Sequence, residues 1–159
     1  AACNVNDVVS GYLQTEILKP KQAIPTLSNA MDVGDPSNFI RIPEIFHHHF
    51  PELKEALSSC SISDEETLTT IKDVYQQYNY LLDPHGAVGY LSLQRYLNKF
   101  PGKGIFLETA HPVKFPDAVE KATGIKVELP ASLADLMKEE KQSILMENDF
   151  DRLKEYLLR

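Results

Sequence analysis

Apolar residues recur along this chain mostly at intervals of three or four, which is the spacing of a helix with one buried face. The clearest case lies between 64 and 78, where Leu68, Ile71 and Val74 share one face. The preceding Ser63-Asp64-Glu65-Glu66 forms a capping box, in which serine and glutamate satisfy free amides at a helix start. The pattern therefore predicts a helix over Asp64 to Tyr78.

Proline and glycine delimit the other predicted elements, because proline starts helices well and glycine ends them. Two or three short helices are predicted between Pro36 and Leu57, and a longer one is predicted from Asp83 to Leu97 with a wide, buried apolar stripe. Three further helices are predicted over Pro116 to Thr123, over Ala131 to Met137, and after a cap at Asn148. Strand segments are predicted at Ala1 to Asn4, Ser58 to Ile62 and, fully buried, Gly104 to Glu108. Together these elements predict one helix-rich α/β domain over residues 1–159 with few strands.

Composition narrows the class of partner. Sixteen Lys and Arg against 23 Asp and Glu give a net charge of -7 without a basic stripe, which disfavours nucleic acid and anionic membrane surfaces. No apolar run reaches the ~20 residues of a membrane span. Cys3 and Cys60 lie far apart, so reduced thiols and a cytoplasmic setting are predicted. Because the chain opens at Ala1 without methionine, we expect a fragment of a longer protein.

Two polar segments, Thr26 to Phe39 and Thr109 to Pro112, follow apolar or β-prone runs. Ligands of open α/β sheets bind beyond the carboxyl ends of strands, so both segments are predicted to face a small-molecule site. Thr109 and His111 leave the predicted strand at that end, and a threonine hydroxyl suits a heteroaromatic nitrogen because it both donates and accepts. The alternatives are an ordinary turn threonine and a long solvent loop.

Two histidine motifs have simpler interpretations. In a helix, the adjacent side chains of His47-His48-His49 would point about 100° apart, so only His48 has a helical partner, Glu44, and no metal site is predicted. Asp83-Pro84-His85-Gly86 either presents helix-start amides to an anion or forms an ordinary helix cap. Gly86 costs about 1 kcal/mol relative to alanine in a helix, which indicates close packing or close ligand approach.

Four motifs in one order resemble threonine synthase of the bacterial and fungal type. They are Asn4 to Val9, Thr26 to Val33 with Pro36 to Phe39, Asp83 to His85, and Thr109 to Phe115. The resemblance runs from Ala1 to about Pro130, more loosely to the end, and corresponds to the carboxyl-terminal part of that enzyme. Asp35 and Gly86 depart modestly from the family pattern.

The resemblance implies a helix-rich, three-layer fragment of the tryptophan-synthase-β-like fold, fold type II of the pyridoxal-phosphate enzymes, with few and mostly parallel strands. The whole enzyme would be a lyase of threonine biosynthesis that converts O-phospho-L-homoserine and water into L-threonine and phosphate. In that family the Schiff-base lysine and the phosphate-binding loop lie upstream of the segment matching Asn4 to Asp7. The resemblance therefore places no catalytic residue in this chain, which is expected to be inactive without the missing amino-terminal part.

By the same resemblance, the Thr109 hydroxyl meets the pyridine nitrogen of pyridoxal 5'-phosphate. The candidates for the substrate pocket are Asn6, Asp7, Ser28, Asn29, Asp32 and His111. His111 is equally suited to bracing its loop. Two other functions stay open: a detached, non-catalytic binding domain, and another fold type II eliminase such as a threonine dehydratase, which the match at Ser28 to Val33 disfavours.

Overall fold

The computed structural model describes residues 1–134 and 138–158, which divide into two compact units, Ala1–Glu128 and Leu129–Arg159. The first unit contains β1 (Ala2–Cys3), α1 (Val8–Thr15), α2 (Arg41–Ile45), α3 (Phe50–Ala56), β2 (Cys60–Ser61), α4 (Asp64–Tyr78), α5 (Pro84–Lys99), a 3-10 helix (Pro112–Lys114) and α6 (Pro116–Thr123). The second contains α7 (Ala131–Ala134) and α8 (Phe150–Leu157). The predicted abundance of helix over strand is confirmed.

The two short strands pair in parallel, with Ala2 opposite Cys60 and Cys3 opposite Ser61. The strand segments predicted at the start of the chain and before α4 are therefore confirmed. Within the described ranges, no helix is long and apolar enough to cross a membrane.

Helix α4 follows the prediction closely. The Glu66 amide donates to Ser63 Oγ at 3.2 Å, and Glu66 Oε2 accepts from the Ser63 amide at 2.8 Å, which completes the capping box. The buried face carries Ile71 and Val74, whereas Tyr78, predicted on the same face, is 57% exposed.

The core of the first unit forms where α4 packs against α5 and α6. Its buried cluster consists of Ile71, Val74, Leu82 and Ala87, with Tyr90, Phe106 and Ala122 packed against it. Only the beginning of α5 is buried, and Tyr96 near its end is 46% exposed. The prediction of a buried stripe along all of α5 is therefore wrong for its second half.

The segment Gly104 to Glu108 is not the predicted buried strand. It has no regular secondary structure and no ladder pairing, and Ile105 and Leu107 are 92% and 77% exposed. A strand needs a neighbour for its amides and carbonyls, and the described residues place none beside this segment. Phe106 alone packs inward, with its ring centroid 5.7 Å from that of Tyr90.

The first helix after the polar segment begins at Arg41 rather than at Pro36. The intervening residues form tight turns, in which the Phe39 amide donates to the Pro36 carbonyl at 2.9 Å. Phe39 is buried, and its ring meets that of Tyr12 edge-on at 4.9 Å. We attribute the delayed helix to this packing, which anchors the turn before a helix can begin.

The carboxyl-terminal predictions fall partly outside the described residues. Helix α6 ends as predicted at Gly124, which has a left-handed φ of 72°. Helix α7 is described as far as Ala134, and the predicted continuation through residues 135–137 lies outside the described residues. Helix α8 is capped one residue later than predicted, because Asp149 Oδ1 accepts from the Arg152 amide at 2.9 Å.

Candidate functional site

An open cleft of about 1130 Å³ in the first unit is lined by residues from β1, β2, α5 and the segment 100–109. Four residues singled out in the sequence meet in its lining: Asn6, Ser28, His85 and Thr109. Asp7, Asn29, Asp32 and His111 do not belong to that lining. The cleft thus gathers part of the predicted set around Thr109.

Thr109 is exposed on the cleft lining, and its hydroxyl has no hydrogen-bond partner among the residues that the structure describes. It follows the segment 104–108, which is held against α5 by the contact of the Phe106 ring with the Tyr90 ring. A hydroxyl held on an anchored backbone and open to a cleft is able to donate to, or accept from, a bound molecule.

The polar segment after Pro25 is braced by its own hydrogen bonds. Asn4 Nδ2 donates to Thr26 Oγ1 at 3.0 Å and to Ser28 Oγ at 2.9 Å. Thr26 Oγ1 donates to Asp32 Oδ1 at 2.7 Å, and Asn6 Nδ2 donates to the same oxygen at 3.1 Å. These side chains therefore hold the segment in shape, and two of them, Asn6 and Ser28, also reach the cleft.

Besides Asp32, the candidates outside the cleft lining are Asp7, Asn29 and His111. Asp7 forms an ion pair with Lys21 at 2.6 Å. Burial opposes ionisation of Asp7, but hydrogen bonds from Lys21 and Ser61 outweigh it and lower the pKa of this carboxyl. Asn29 is exposed, and His111 Nδ1 accepts from the Val113 amide at 3.2 Å. His111 therefore braces the turn that opens the 3-10 helix.

The motif Asp83-Pro84-His85-Gly86 forms a helix cap. Asp83 is fully buried, and its carboxylate accepts from the amides of His85 and Gly86 at 2.8 and 3.4 Å. His85 Nδ1 lies 2.7 Å from Asp83 Oδ1, and the Ala30 amide donates to His85 Nε2 at 3.3 Å. Because Nε2 accepts, Nδ1 carries the proton and donates to Asp83. The carboxylate therefore occupies the helix-start amides that an anion would otherwise use.

Glu108 stands next to the lining residue Thr109 without belonging to the lining, and the sequence did not indicate its contacts. Its Oε1 accepts from the Asp83 amide at 3.3 Å, which brings its carboxyl group beside that of Asp83. Burial and then the neighbouring Asp83 raise the pKa of Glu108 to about 8. The residue as a whole is exposed, but its carboxyl end lies against Gly86, where a Cβ atom would come within 2.2 Å of Oε2. The unusual first-turn glycine was the available signal.

The triple histidine lies in a turn between α2 and α3 rather than on the predicted helix, because His47 and His48 have left-handed φ values of 49° and 57°. His48 Nε2 meets Glu44 Oε1 at 2.9 Å, and both side chains are largely exposed. Within residues 1–134 and 138–158, no group of three or more His, Cys, Asp or Glu side chains is arranged to hold a metal ion.

Known proteins match both the sequence and this fold. The family model described as "Threonine synthase, C-terminal" matches residues 86–157. Threonine synthase of Haemophilus influenzae is 43% identical over 159 residues, which are 100% of this chain and 37% of that protein. The Escherichia coli enzyme is 43% identical over 136 residues, covering 85% of this chain and 31% of that protein. The chain thus spans about a third of the length of these relatives.

Solved structures agree with the sequence matches. The crystal structure of Escherichia coli threonine synthase superimposes with a TM-score of 0.83 at 39% identity, over 99% of this chain and 36% of that one. The pyridoxal-phosphate-bound threonine synthase from Brucella melitensis gives a TM-score of 0.75 at 29% identity, over 98% of this chain and 39% of that one.

The fold is therefore a helix-rich part of the tryptophan-synthase-β-like fold, the fold type II class of pyridoxal-phosphate-dependent enzymes, with few, parallel strands. Within that class, the chain belongs to the threonine synthase family and corresponds to its carboxyl-terminal portion.

Proposed function

We propose that this chain forms one wall of the cofactor and substrate site of a threonine synthase and acts together with an amino-terminal part of the same enzyme. The observation that carries the proposal is the Thr109 hydroxyl, which is exposed on the cleft and has no partner among the described residues. The sequence and structural relatives support the family, and the share of their length that this chain spans supports a division of the site between two parts.

The donor set fits the ring side of pyridoxal phosphate. Thr109, Asn6 and Ser28 supply neutral hydroxyl and amide groups to the cleft lining. The cofactor, when bound, supplies the electron sink for the reaction. A neutral Thr109 hydroxyl hydrogen-bonds a ring nitrogen without holding it protonated, as a carboxylate would. Proton transfer then depends more on the lysine that the amino-terminal part is proposed to supply.

In this proposal the whole protein is a lyase that converts O-phospho-L-homoserine and water into L-threonine and phosphate. Asn6 and Ser28 shape the substrate side of the cleft directly. Asp7, Asn29, Asp32 and His111 act through the loops around it, since they stand outside the lining. No residue of this chain is assigned a catalytic role.

The test measures phosphate release from O-phosphohomoserine by the full-length protein, with Thr109→Val and the matched control Thr109→Ser. A neutral hydrogen bond contributes about 0.5–1.5 kcal/mol, so valine should reduce the rate up to about tenfold, and serine should restore it. A valine variant as active as the parent would overturn the role of Thr109. Release of ammonia from threonine without phosphate release would instead identify a dehydratase.

A second experiment addresses the division of the site. The 159-residue chain is mixed with pyridoxal phosphate and reduced with borohydride, which fixes the cofactor to any lysine that it has joined. We expect no stoichiometric label on a single lysine of this chain, but one label in the full-length protein. A single, specifically labelled lysine in the isolated chain would refute the assignment of the reacting lysine to the amino-terminal part.

A further inference from the structure

Two carboxyl groups from distant parts of the first unit meet at the start of α5. Asp83 is fully buried, and Glu108 ends the irregular segment that precedes Thr109. The Asp83 amide donates to Glu108 Oε1 at 3.3 Å, and each carboxyl group perturbs the pKa of the other. Two neighbouring carboxylates repel each other, which favours a proton on one of them.

The surrounding donors decide which group keeps the proton. The Asp83 carboxylate accepts from two amides and from His85 Nδ1, whose side chain is 23% exposed. Burial opposes ionisation of Asp83, but the hydrogen bonds from Glu108 and His85 outweigh it and lower its pKa. Glu108 has the opposite shift, to a pKa of about 8, from burial and from Asp83. The opposite directions of these two shifts place the proton on Glu108 and the negative charge on Asp83 at neutral pH.

Gly86 makes this contact sterically feasible. A Cβ atom at residue 86 would lie 2.2 to 2.6 Å from the carboxyl atoms of Glu108, which no packed structure accommodates without moving them. Glycine in the first turn of a helix costs about 1 kcal/mol relative to alanine. The space it leaves is filled by the Glu108 carboxyl group.

We propose that Glu108 is a positioning residue, whose carboxyl group, seated on Gly86 and bonded to Asp83, fixes the backbone that presents Thr109 to the cleft. The inference rests on the proposed function only for its effect on catalysis, since the contact of Glu108 with Asp83 and Gly86 lies within this chain. Through His85 and the Ala30 amide, the same buried carboxylate also reaches the polar loop on the cleft. Asp83 thereby joins the two segments that carry the candidate site residues.

Three variants of the full-length protein distinguish the effect of losing the Glu108 contact from a general loss of stability. Glu108→Ala removes the contact, and Gly86→Ala displaces it. Glu108→Gln keeps an N–H donor for Asp83 and a carbonyl acceptor for the Asp83 amide, but does not titrate. Gly11→Ala is the matched helical control, because nothing lies within 4 Å of a Cβ atom placed there.

The first readout is hydrogen exchange of the Asp83 amide, which donates to Glu108 Oε1 at 3.3 Å and whose protection does not depend on activity. Glu108→Ala and Gly86→Ala should accelerate exchange there about tenfold, the equivalent of losing about 1.4 kcal/mol, whereas Glu108→Gln and Gly11→Ala should match the parent. Unchanged exchange in both disruptive variants would overturn the proposal. So would a Glu108→Gln variant that exchanges as fast as Glu108→Ala.

The second readout is the pH profile of phosphate release. The parent rate should fall as pH rises through about 8, where Glu108 loses its proton and the two carboxylates repel, and the Glu108→Gln profile should lack that limb. An identical limb in both proteins would refute the role of Glu108. If exchange responds as expected but no protein releases phosphate, the positioning role stands and the proposed function fails.

Discussion

The buried Asp83 carboxylate provides the sharpest stability prediction for this chain. Asp83→Ala removes the N-cap of α5, where loss of an aspartate cap costs about 0.5–2 kcal/mol. It also removes the acceptor of His85 Nδ1–H and the negative charge beside the Glu108 carboxyl group. An unsatisfied buried donor costs about 1–3 kcal/mol, and the partial exposure of His85 places this cost near about 1–2 kcal/mol. We expect a total loss of about 2–3 kcal/mol.

Ser63→Ala is the matched control, because it deletes the corresponding cap of α4 without exposing a second buried charge network. Its expected cost is about 1 kcal/mol. The measurement is hydrogen exchange of the first two turns of α4 and α5 in the parent and in each variant. Both variants should open more often than the parent. The opening constant of the Asp83 variant should be about tenfold larger than that of the Ser63 variant, which corresponds to a difference of about 1.4 kcal/mol. Equal effects of the two substitutions would show that Asp83 is only a cap.

Three other measurements probe the fold. The free energy of unfolding of the parent should decline between pH 4.5, the ordinary pKa of glutamate, and a pH of about 8, because the folded state keeps the Glu108 proton that the unfolded chain has lost. Urea titrations of Glu108→Gln should lack this decline. Gly34→Ala should unfold at clearly lower urea concentration, since its Cβ would lie 2.0 Å from the Lys21 carbonyl oxygen, whereas Gly102→Ala meets nothing within 4 Å and should unfold with the parent. Ile71→Ala, in the core under α4, should cost about 2–5 kcal/mol in the same assay, and a loss under about 1 kcal/mol would contradict the burial of that face.

The elements that sequence reasoning predicted correctly are those whose determinants are local. The α4 capping box and the Asp83-Pro84 start of α5 each lie within a few residues of the helix that they begin. Glycine at position 124 ends α6 for an equally local reason, its left-handed backbone. Such signals need no knowledge of the rest of the fold.

The errors concern elements whose state depends on distant contacts. Gly104 to Glu108 has the composition of a buried strand, but a strand requires a neighbour, and sequence composition alone does not reveal whether one is present. The segment from Pro36 begins with a good helix signal, yet the packing of Phe39 on Tyr12 holds it in turns. Tertiary contacts decided both outcomes.

Which candidate residues share one cleft also depends on distant contacts. The two polar segments pointed to Thr109 and Ser28, and the family resemblance added Asn6; these three residues lie on the lining of one cleft. Glu108 gave no signal, because a glutamate closing an apolar run resembles a surface residue until Asp83 is found beside it. The first-turn glycine was noticed, but its reason lies 22 residues further along the chain, at Glu108.

Existing hydrogen bonds distinguish the residues that build the cleft from the residue that is free to bind a ligand. Both amide hydrogens of Asn6 are used, by the Ile24 carbonyl at 2.8 Å and by Asp32 at 3.1 Å. The Thr26 hydroxyl gives its proton to Asp32, so in its 3.3 Å contact with Ser28 the serine is the donor. A ligand that accepted a hydrogen bond from Asn6 or Ser28 would therefore have to break an existing one worth about 1 kcal/mol, whereas Thr109 has none to lose among the described residues. This difference makes Thr109, rather than the more conspicuous polar segment, the group best able to contact a bound cofactor.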